Sequence, residues 1–171
     1  MSKLALLTAQ SSALVMHELN AIQKQSFTPC WSESQIQQQL AGEKNLNFAL
    51  LKTPGELGSG DSKCKLLGFI FYRLLFDEAE VLQIAVSPDY QHQGIGRALI
   101  TKSKKHLIEQ DVGRVMLEVN ASNLHAIELY EKMDFVLEGT RKRYYPSKVA
   151  NGERGDALLY SLSLAAVKKS D

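Results

Sequence analysis

Residues 79–100 read AEVLQIAVSPDYQHQGIGRALI, and this segment carries the clearest structural signal in the chain. It begins with an apolar, partly β-branched run that ends at Pro88, the pattern of a strand buried on both faces of a sheet. A polar turn with Gly94 and Gly96 follows, and apolar residues with helical spacing begin at Ala98. The segment therefore predicts a buried strand that leads through a glycine turn into a helix.

The glycine turn has the chemistry of an anion site. In the first turn of a helix, backbone N–H groups lack partners and the helix dipole is positive, while glycines let a bulky anion approach the backbone. A tight strand-to-helix connection without any ligand would use the same glycines. Gln91, three residues before Gly94, and Arg97, directly after Gly96, favour the phosphate site.

The spacing Q-x-x-G-x-G, formed by Gln91, Gly94 and Gly96, resembles the acyl-CoA pyrophosphate motif of the GNAT acetyltransferase superfamily. Three segments occur in the order found in that family and are most similar to its bacterial ribosomal-protein-alanine N-acetyltransferases: LQIAVSPDYQHQGIGRAL, LEVNASNLHAIELYEKMDF and RYYP. The resemblance covers nearly the whole chain. It implies the GNAT fold, an α/β fold whose mixed central sheet of about seven strands is flanked by about four helices, and acetyl-CoA as the co-substrate.

Length and composition limit the classes of protein to which this chain can belong. A chain of 171 residues suits one domain with a sizeable core, so we expect a single domain over 1–171, with a flexible glycine- and serine-rich insertion at about 53–63. The net charge of +1 gives no field that would attract nucleic acid. No apolar segment approaches the roughly 20 residues that span a bilayer, and the short apolar patch after Lys3 does not have the pattern expected of a secretory signal. We expect a cytoplasmic monomer or weak dimer without membrane or nucleic-acid partners.

Metal and disulfide chemistry are not expected. Cys30 and Cys64 form no Cys-x-x-Cys pair, and the four histidines have no metal-ligand spacing. Neither cysteine has an adjacent base, which disfavours an acyl-enzyme and favours direct transfer in a ternary complex.

Periodicity and capping patterns predict the remaining elements. Ser32 and Gln35 have capping-box spacing, and Ser122 is the predicted cap of a later helix. The strand at 114–119 is expected to lie parallel to the strand of the glycine segment, because a helix joins them. The predicted strands are 4–8, 46–52, 65–76, 79–86, 114–119, 135–145 and 157–164, and the predicted helices cover 13–22, 33–40, 96–110 and 122–133.

Attack of an amine on a thioester needs a neutral nucleophile, a polarised carbonyl and a proton for the leaving thiolate. Glu118 lies in an otherwise apolar strand, where a carboxylate is costly unless it is used or paired, for instance with Arg114. Tyr130 lies on the apolar stripe of its helix, where a core tyrosine is the ordinary interpretation. The resemblance implies that Glu118 is the general base, directly or through water, and that Tyr130 is the general acid to the sulfur of coenzyme A.

The resemblance also implies the binding residues. The strand that ends at Val86 is bulged in the family, and its backbone binds the pantetheine amide and the thioester oxygen. The implied cofactor residues are Ile84, Ala85, Val86, Gln91, His92, Gln93, Gly94, Ile95, Gly96, Arg97 and Asn123. The implied acceptor contacts are Phe27, Trp31, Tyr144 and Tyr145, for which packing between neighbouring elements is the alternative.

We therefore expect acetyl transfer to the α-amino group of a protein N-terminus, the N-terminal alanine of small-subunit ribosomal protein eighteen. An α-amino group titrates near 8 and a lysine near 10.4, which makes deprotonation at pH 7 about 3 kcal/mol easier for the terminus. Residues 147–157 are longer than the corresponding family segment, and this leaves a lysine side chain or a small-molecule amine open as acceptor. A non-enzymatic acyl-CoA sensor is a further alternative. A nicotinamide-binding Rossmann protein fits less well, because its glycine turn would follow the first strand.

Overall fold

A computed structural model describes residues 2–11, 13–52, 64–146 and 152–164. The predicted insertion at 53–63 lies outside the described residues, as do residues 147–151 of the long loop. The elements are β1 (Lys3–Leu6), α1 (Ala13–Ser26), α2 (Glu33–Ala41), β2 (Asn45–Lys52), β3 (Lys65–Leu75), β4 (Glu78–Val86), a 3₁₀ turn (Pro88–Tyr90), α3 (Ile95–Glu109), β5 (Arg114–Asn120), α4 (Leu124–Glu131), β6 (Val136–Tyr145) and β7 (Gly155–Ser163). None of the described helices combines the length and apolarity needed to cross a membrane.

The described strands form one mixed sheet in the order β1-β2-β3-β4-β5-β7-β6. Neighbouring strands are antiparallel, except that β4 and β5 run parallel with α3 between them along the chain. A parallel pair needs such a crossover, because a tight turn can only reverse the chain. The seven strands and four α-helices of the described residues confirm the predicted α/β fold class.

Helices cover both faces of the sheet. On one face, α3 and α4 contribute Leu99, Leu107 and Tyr130 to a core that includes Leu117 and Val119 of β5. On the other face, α1 packs on β3 and β4 and α2 packs on β2. The residues of this core include Leu19, Ile22, Ile36, Leu40, Phe69, Phe71 and Ala85. Because side chains alternate along β5, Glu118 lies on the face opposite to α3 and α4.

The sheet opens between β4 and β5. The parallel pairing covers only Glu78–Val81 on β4 and Arg114–Leu117 on β5. Directly after Val81 the register with β3 shifts, since Tyr72 pairs with Val81 and Phe71 pairs with Gln83, which leaves Leu82 as an extra residue. Such a bulge bends its strand and increases the local twist. The bulge that the resemblance implied is therefore present, and β4 and β5 separate beyond it.

Two local predictions were wrong. Asn123, not Ser122, caps α4, because its Oδ1 accepts the N–H of Ala126 at 3.3 Å, whereas Ser122 donates to Oδ1 of Asn120 at 2.8 Å. The strand β4 is also not buried on both faces. Ile84 and Val86 are partly exposed, because the separation from β5 leaves that end of the strand open.

Candidate active site

A cleft of about 620 Å³ lies beside the free end of β4. Four parts of the chain form its walls: the end of β4, the glycine turn with the start of α3, the inward face of α4, and the end of α1 with the residues that follow. The sequence predicted the glycine turn as a phosphate site, and the resemblance implied cofactor contacts at the end of β4 and at Asn123 and a catalytic role for Tyr130 of α4. The fourth part, 25–27, comes from the opposite face of the sheet and brings Phe27 into the same cleft.

The backbone of Ile84 and Val86 faces the gap between β4 and β5. Ser87 donates its N–H to the carbonyl of Leu67 at 2.9 Å, and hydrogen bonds alternate along an antiparallel pair. The polar groups of Ile84 and Val86 therefore point away from β3, while those of Ala85 are used in the ladder. The carbonyl of Val86 accepts a hydrogen bond from Nε2 of Gln91 at 3.3 Å. Ile84 is left with a donor and an acceptor that an extended amide ligand could pair with.

The glycine turn presents unpaired donors to the cleft. Gly94 precedes α3 with a left-handed φ of 75°, and a Cβ atom there would have nothing within 4 Å. The first N–H of this helix with an acceptor is that of Ala98, which donates to Gly94 at 2.9 Å. The N–H groups of Ile95, Gly96 and Arg97 are therefore free of helical partners. Open space in front of three such donors suits a diphosphate group.

The two glycines of the turn have different roles. Gly94 faces open space, but a Cβ on Gly96 would lie 3.0 Å from Cδ2 of Leu129. Gly96 therefore allows α3 and α4 to approach closely, which brings the two helical walls of the cleft together. From sequence, both glycines were predicted to bind phosphate, without a distinction between these roles.

Tyr130 combines a packed ring with an unpaired hydroxyl. Its side chain is 5% exposed, and its ring lies 5.6 Å from that of Phe135 and 6.4 Å from that of Tyr160. The residue lines the cleft, and its hydroxyl has no hydrogen-bond partner among the described residues. Burial, with a further contribution from Tyr145, raises the pKa of Tyr130, which keeps the phenol protonated at neutral pH.

Glu118 lies outside the cleft lining and is paired. Its Oε1 lies 2.6 Å from Nη1 of Arg141, and its side chain is 24% exposed. Arg114, the partner that the sequence suggested, instead pairs with Glu78 and Glu138. Burial raises the pKa of Tyr145, and the carboxylate of Glu118 adds to this effect. The charge of Glu118 thus contributes to the raised pKa of Tyr145, and Tyr145 contributes in turn to the raised pKa of Tyr130.

Most of the predicted cofactor residues line the cleft, together with one predicted acceptor contact. These residues are Ile84, Ala85, Val86, Gln91, His92, Gly94, Ile95, Gly96, Arg97, Asn123 and Phe27. Gln93 does not line it, and its Nε2 donates to the carbonyl of Asp89 at 3.3 Å. Trp31 stacks on Phe71 with ring centroids 5.9 Å apart, so the described contacts of this residue are packing contacts. Tyr144 and Tyr145 pack edge to face at the end of β6, also outside the lining.

Several lining residues were missed from sequence. His125, Glu128 and Lys132 of the α4 region line the cleft, and the ring of His125 meets that of His92 at 5.5 Å. Their spacing of three and four residues puts them on one helical stripe, so periodicity could have identified them. Within the described ranges, no three residues among His, Cys, Asp and Glu converge to hold a metal ion.

Comparison with known proteins gives consistent matches. Residues 16–135 match the acetyltransferase (GNAT) family. The chain is 36% identical to a ribosomal protein bS18-alanine N-acetyltransferase of Escherichia coli K12, over 79% of this chain and 82% of that protein. It is 31% identical to the enzyme of that name from Haemophilus influenzae, over 91% and 97% of the two chains.

Solved structures agree with these sequence matches. The crystal structure of the ribosomal-protein-S18-alanine N-acetyltransferase from E. coli superposes with a TM-score of 0.76 at 32% identity, and the match covers 100% of both chains. Arabidopsis thaliana NAA60 in complex with acetyl-CoA shares the fold with a TM-score of 0.74 at 22% identity, over 96% of this chain and 99% of that one. The family match over most of the length, the separated central strands and the glycine turn lead to one conclusion: this chain is an acyltransferase that belongs to the GNAT acetyltransferase family.

Proposed function

We propose that the protein transfers an acetyl group from acetyl-CoA directly to the α-amino group of a protein N-terminus, and that this terminus is the alanine of ribosomal protein bS18. One observation carries the proposal: the unpaired backbone of Ile84 lies in one cleft with the donors of the glycine turn and the buried phenol of Tyr130. The names of the E. coli and H. influenzae relatives support the acceptor. A ribosomal acceptor agrees with the cytoplasmic location predicted from the sequence.

The groups that line the cleft could contact coenzyme A part by part, from its diphosphate through its pantetheine arm to the thioester. The free N–H groups of Ile95, Gly96 and Arg97 would hold the diphosphate, and the backbone of Ile84 would pair with the pantetheine arm. Asn123 uses its Oδ1 to cap α4, which leaves its amide nitrogen available as a donor in the same cleft. This arrangement directs the thioester toward the gap between β4 and β5.

In the proposed reaction, the amine loses a proton to Glu118 and its nitrogen bonds to the carbonyl carbon of the thioester. The carbon–sulfur bond then breaks, and Tyr130 donates to the departing sulfur. Because burial raises the pKa of Tyr130, its hydroxyl is a dependable donor at neutral pH but gives up its proton reluctantly. We expect its hydrogen bond to the developing thiolate to account for most of its effect.

The acceptor would enter from the face on which Glu118 lies. Phe27 is the acceptor candidate with a place in the cleft, and Tyr144 is 45% exposed at the end of β6. An α-amino group is the easier nucleophile, since it loses its proton at a pH about 2 units lower than a lysine does. The acceptor roles of Trp31, Tyr144 and Tyr145 remain predictions that a bound peptide would test.

Mass spectrometry of three acceptors incubated with acetyl-CoA tests the acceptor class. The three are an N-terminal alanine peptide of bS18, the same peptide with a blocked terminus and an added lysine, and spermidine. We expect acetylation at the free α-amino group of the first peptide. Faster modification of the lysine peptide or of spermidine would show that the proposed acceptor is wrong. The absence of heat on titration with coenzyme A would rule out coenzyme A as the cofactor.

Tyr130→Phe tests the chemistry, and Tyr72→Phe is its matched control. Tyr72 is also buried, but its hydroxyl contacts Oγ of Ser103 at 2.8 Å and it does not line the cleft. We expect Tyr130→Phe to lower kcat about 100-fold with unchanged affinity for coenzyme A. Tyr72→Phe should retain kcat. Equal kcat values in wild type and Tyr130→Phe would exclude the acid role.

A further inference from the structure

Arg141 reaches across one strand of the sheet to the proposed base. Arg141 on β6 pairs with Ala157, and Glu118 on β5 pairs with Leu159, so β7 lies between them. The side chain of Arg141 crosses β7 diagonally and brings Nη1 to 2.6 Å from Oε1 of Glu118. The Arg141 side chain is largely exposed, and ion pairs near the surface add little stability, so a gain in stability does not by itself explain why Arg141 extends across β7.

An irregular segment of β6 supports Arg141 from the other side. Between the pairs Arg141–Ala157 and Tyr145–Gly155 the register shifts, and Arg143 adopts a left-handed φ of 54°. The carboxylate of Asp156 accepts the N–H of Arg143 at 2.8 Å. This conformation places the ring of Tyr144 5.6 Å from the guanidinium carbon of Arg141.

A second arginine holds the same segment. Arg154 donates from Nε to the carbonyl of Arg143 and from Nη2 to the carbonyl of Tyr144, both at 2.6 Å. Two carbonyls and one N–H of the segment are therefore fixed by side chains that lie just before and in β7. The guanidinium of Arg141 is held between an aromatic face and a carboxylate, a geometry that suits a planar cation.

We propose that Arg141 is a positioning residue for Glu118. Its guanidinium holds Oε1 and so orients Oε2 to accept the proton of the incoming amine. The inference rests on the proposed function, because it requires Glu118 to be the base. It adds a residue to that site which neither the sequence motifs nor the cleft lining identified.

A double-mutant cycle tests the inference, with Arg141→Gln, Glu118→Gln and the double variant assayed for kcat and for KM of both substrates. We expect Arg141→Gln to lower kcat about 10-fold with unchanged KM for acetyl-CoA. In the Glu118→Gln background the same change should alter kcat less than about 2-fold, because neighbouring residues that act together are not additive. Arg141→Lys should have a higher kcat than Arg141→Gln, because lysine retains the positive charge although it lacks the planar, multi-donor guanidinium group.

Arg114→Gln is the matched control, because Arg114 also bridges carboxylates, those of Glu78 and Glu138, away from the cleft. It should leave kcat unchanged. Additive losses in the cycle, with Glu118→Gln itself impaired, would overturn the positioning role and leave the proposed function intact. An unchanged kcat in Glu118→Gln would instead overturn the base role, and the inference with it. Thermal unfolding of each variant shows whether a loss of kcat is caused by misfolding. If Arg141→Gln is misfolded, the kcat of Arg141→Lys decides: partial recovery supports the positioning role, and a loss equal to that of Arg141→Gln in a folded Arg141→Lys overturns it.

Discussion

Val81 on β4 and Leu117 on β5 form the last residue pair of the parallel ladder between these strands. The next residue, Leu82, is the bulge, and beyond it β4 continues to pair with β3 alone. One bulged residue therefore exposes the backbone of Ile84 on the side of β5. The cleft and the proposed thioester site both depend on this separation.

Binding of acetyl-CoA should slow amide hydrogen exchange at Ile84 and at Ile95, Gly96 and Arg97. Within the described residues these N–H groups have no ladder or helical partner, so a ligand that accepts from them should protect them. We expect at least a 10-fold decrease in rate at each residue, measured by NMR. Ala85, whose backbone pairs with Phe69, is the internal control and should change little. Full protection of Ile84 without ligand would contradict the open strand end.

Gly94→Ala should weaken coenzyme A binding without unfolding the protein. The left-handed φ of 75° makes alanine unfavourable by about 1 kcal/mol, and the added methyl group would enter the open space in front of the helix. We expect at least a 10-fold increase in Kd by calorimetry. Gly139→Ala is the matched control, because its Cβ also meets nothing within 4 Å and it lies on β6. A Kd that rises equally in both variants would exclude a specific role for Gly94.

Alkaline pH should destabilise the protein through its buried phenols. Burial raises the pKa of both Tyr72 and Tyr130 above the ordinary value near 10. Above pH 10 the unfolded chain therefore loses protons that the folded chain retains, and the free energy of unfolding falls by about 1.4 kcal/mol per pH unit for each phenol. Below pH 10 these groups have no such effect. Urea unfolding between pH 8 and 11 should show that the free energy of unfolding declines less steeply with pH in Tyr72→Phe and in Tyr130→Phe than in wild type. Identical slopes would contradict the raised pKa values of these phenols.

The amides of Gln23 and Gln83 should show strong coupling in stability. Gln23 on α1 donates from Nε2 to Oε1 of Gln83 on β4, both side chains are buried, and Oε1 of Gln23 has no partner in the described part of the chain. Gln83→Leu leaves an unpaired amide and should cost about 2 kcal/mol. The double change Gln23→Leu and Gln83→Leu removes both polar groups and should return to within about 1 kcal/mol of wild type. If the two changes lower the free energy of urea unfolding additively, the side chains are not paired as described.

Local patterns in the sequence were sufficient for the element order and for the glycine turn. The capping box of Ser32 and Gln35 forms as predicted, with Ser32 Oγ accepting from the N–H of Gln35 at 3.3 Å. Strand and helix bounds agree within a few residues except in α1, which continues to Ser26. Such signals are read reliably because each depends on residues within one or two turns of one another. The misplaced cap of α4 is a local exception, because the Ser122 hydroxyl donates to Oδ1 of nearby Asn120 instead of capping the helix.

Relationships between distant elements required the folded chain. Sequence patterns place Glu118 in a strand, but its partner is Arg141 on β6 rather than Arg114, because the diagonal across β7 is set by strand register. They also treat Gly94 and Gly96 alike, although one faces the open cleft and the other faces Leu129. Residue types and spacing thus specify which groups are available for acetyl transfer. The bulge at Leu82, the register of β6 and the approach of α4 to α3 then determine which of those groups meet, since these distances arise only when separate elements pack together.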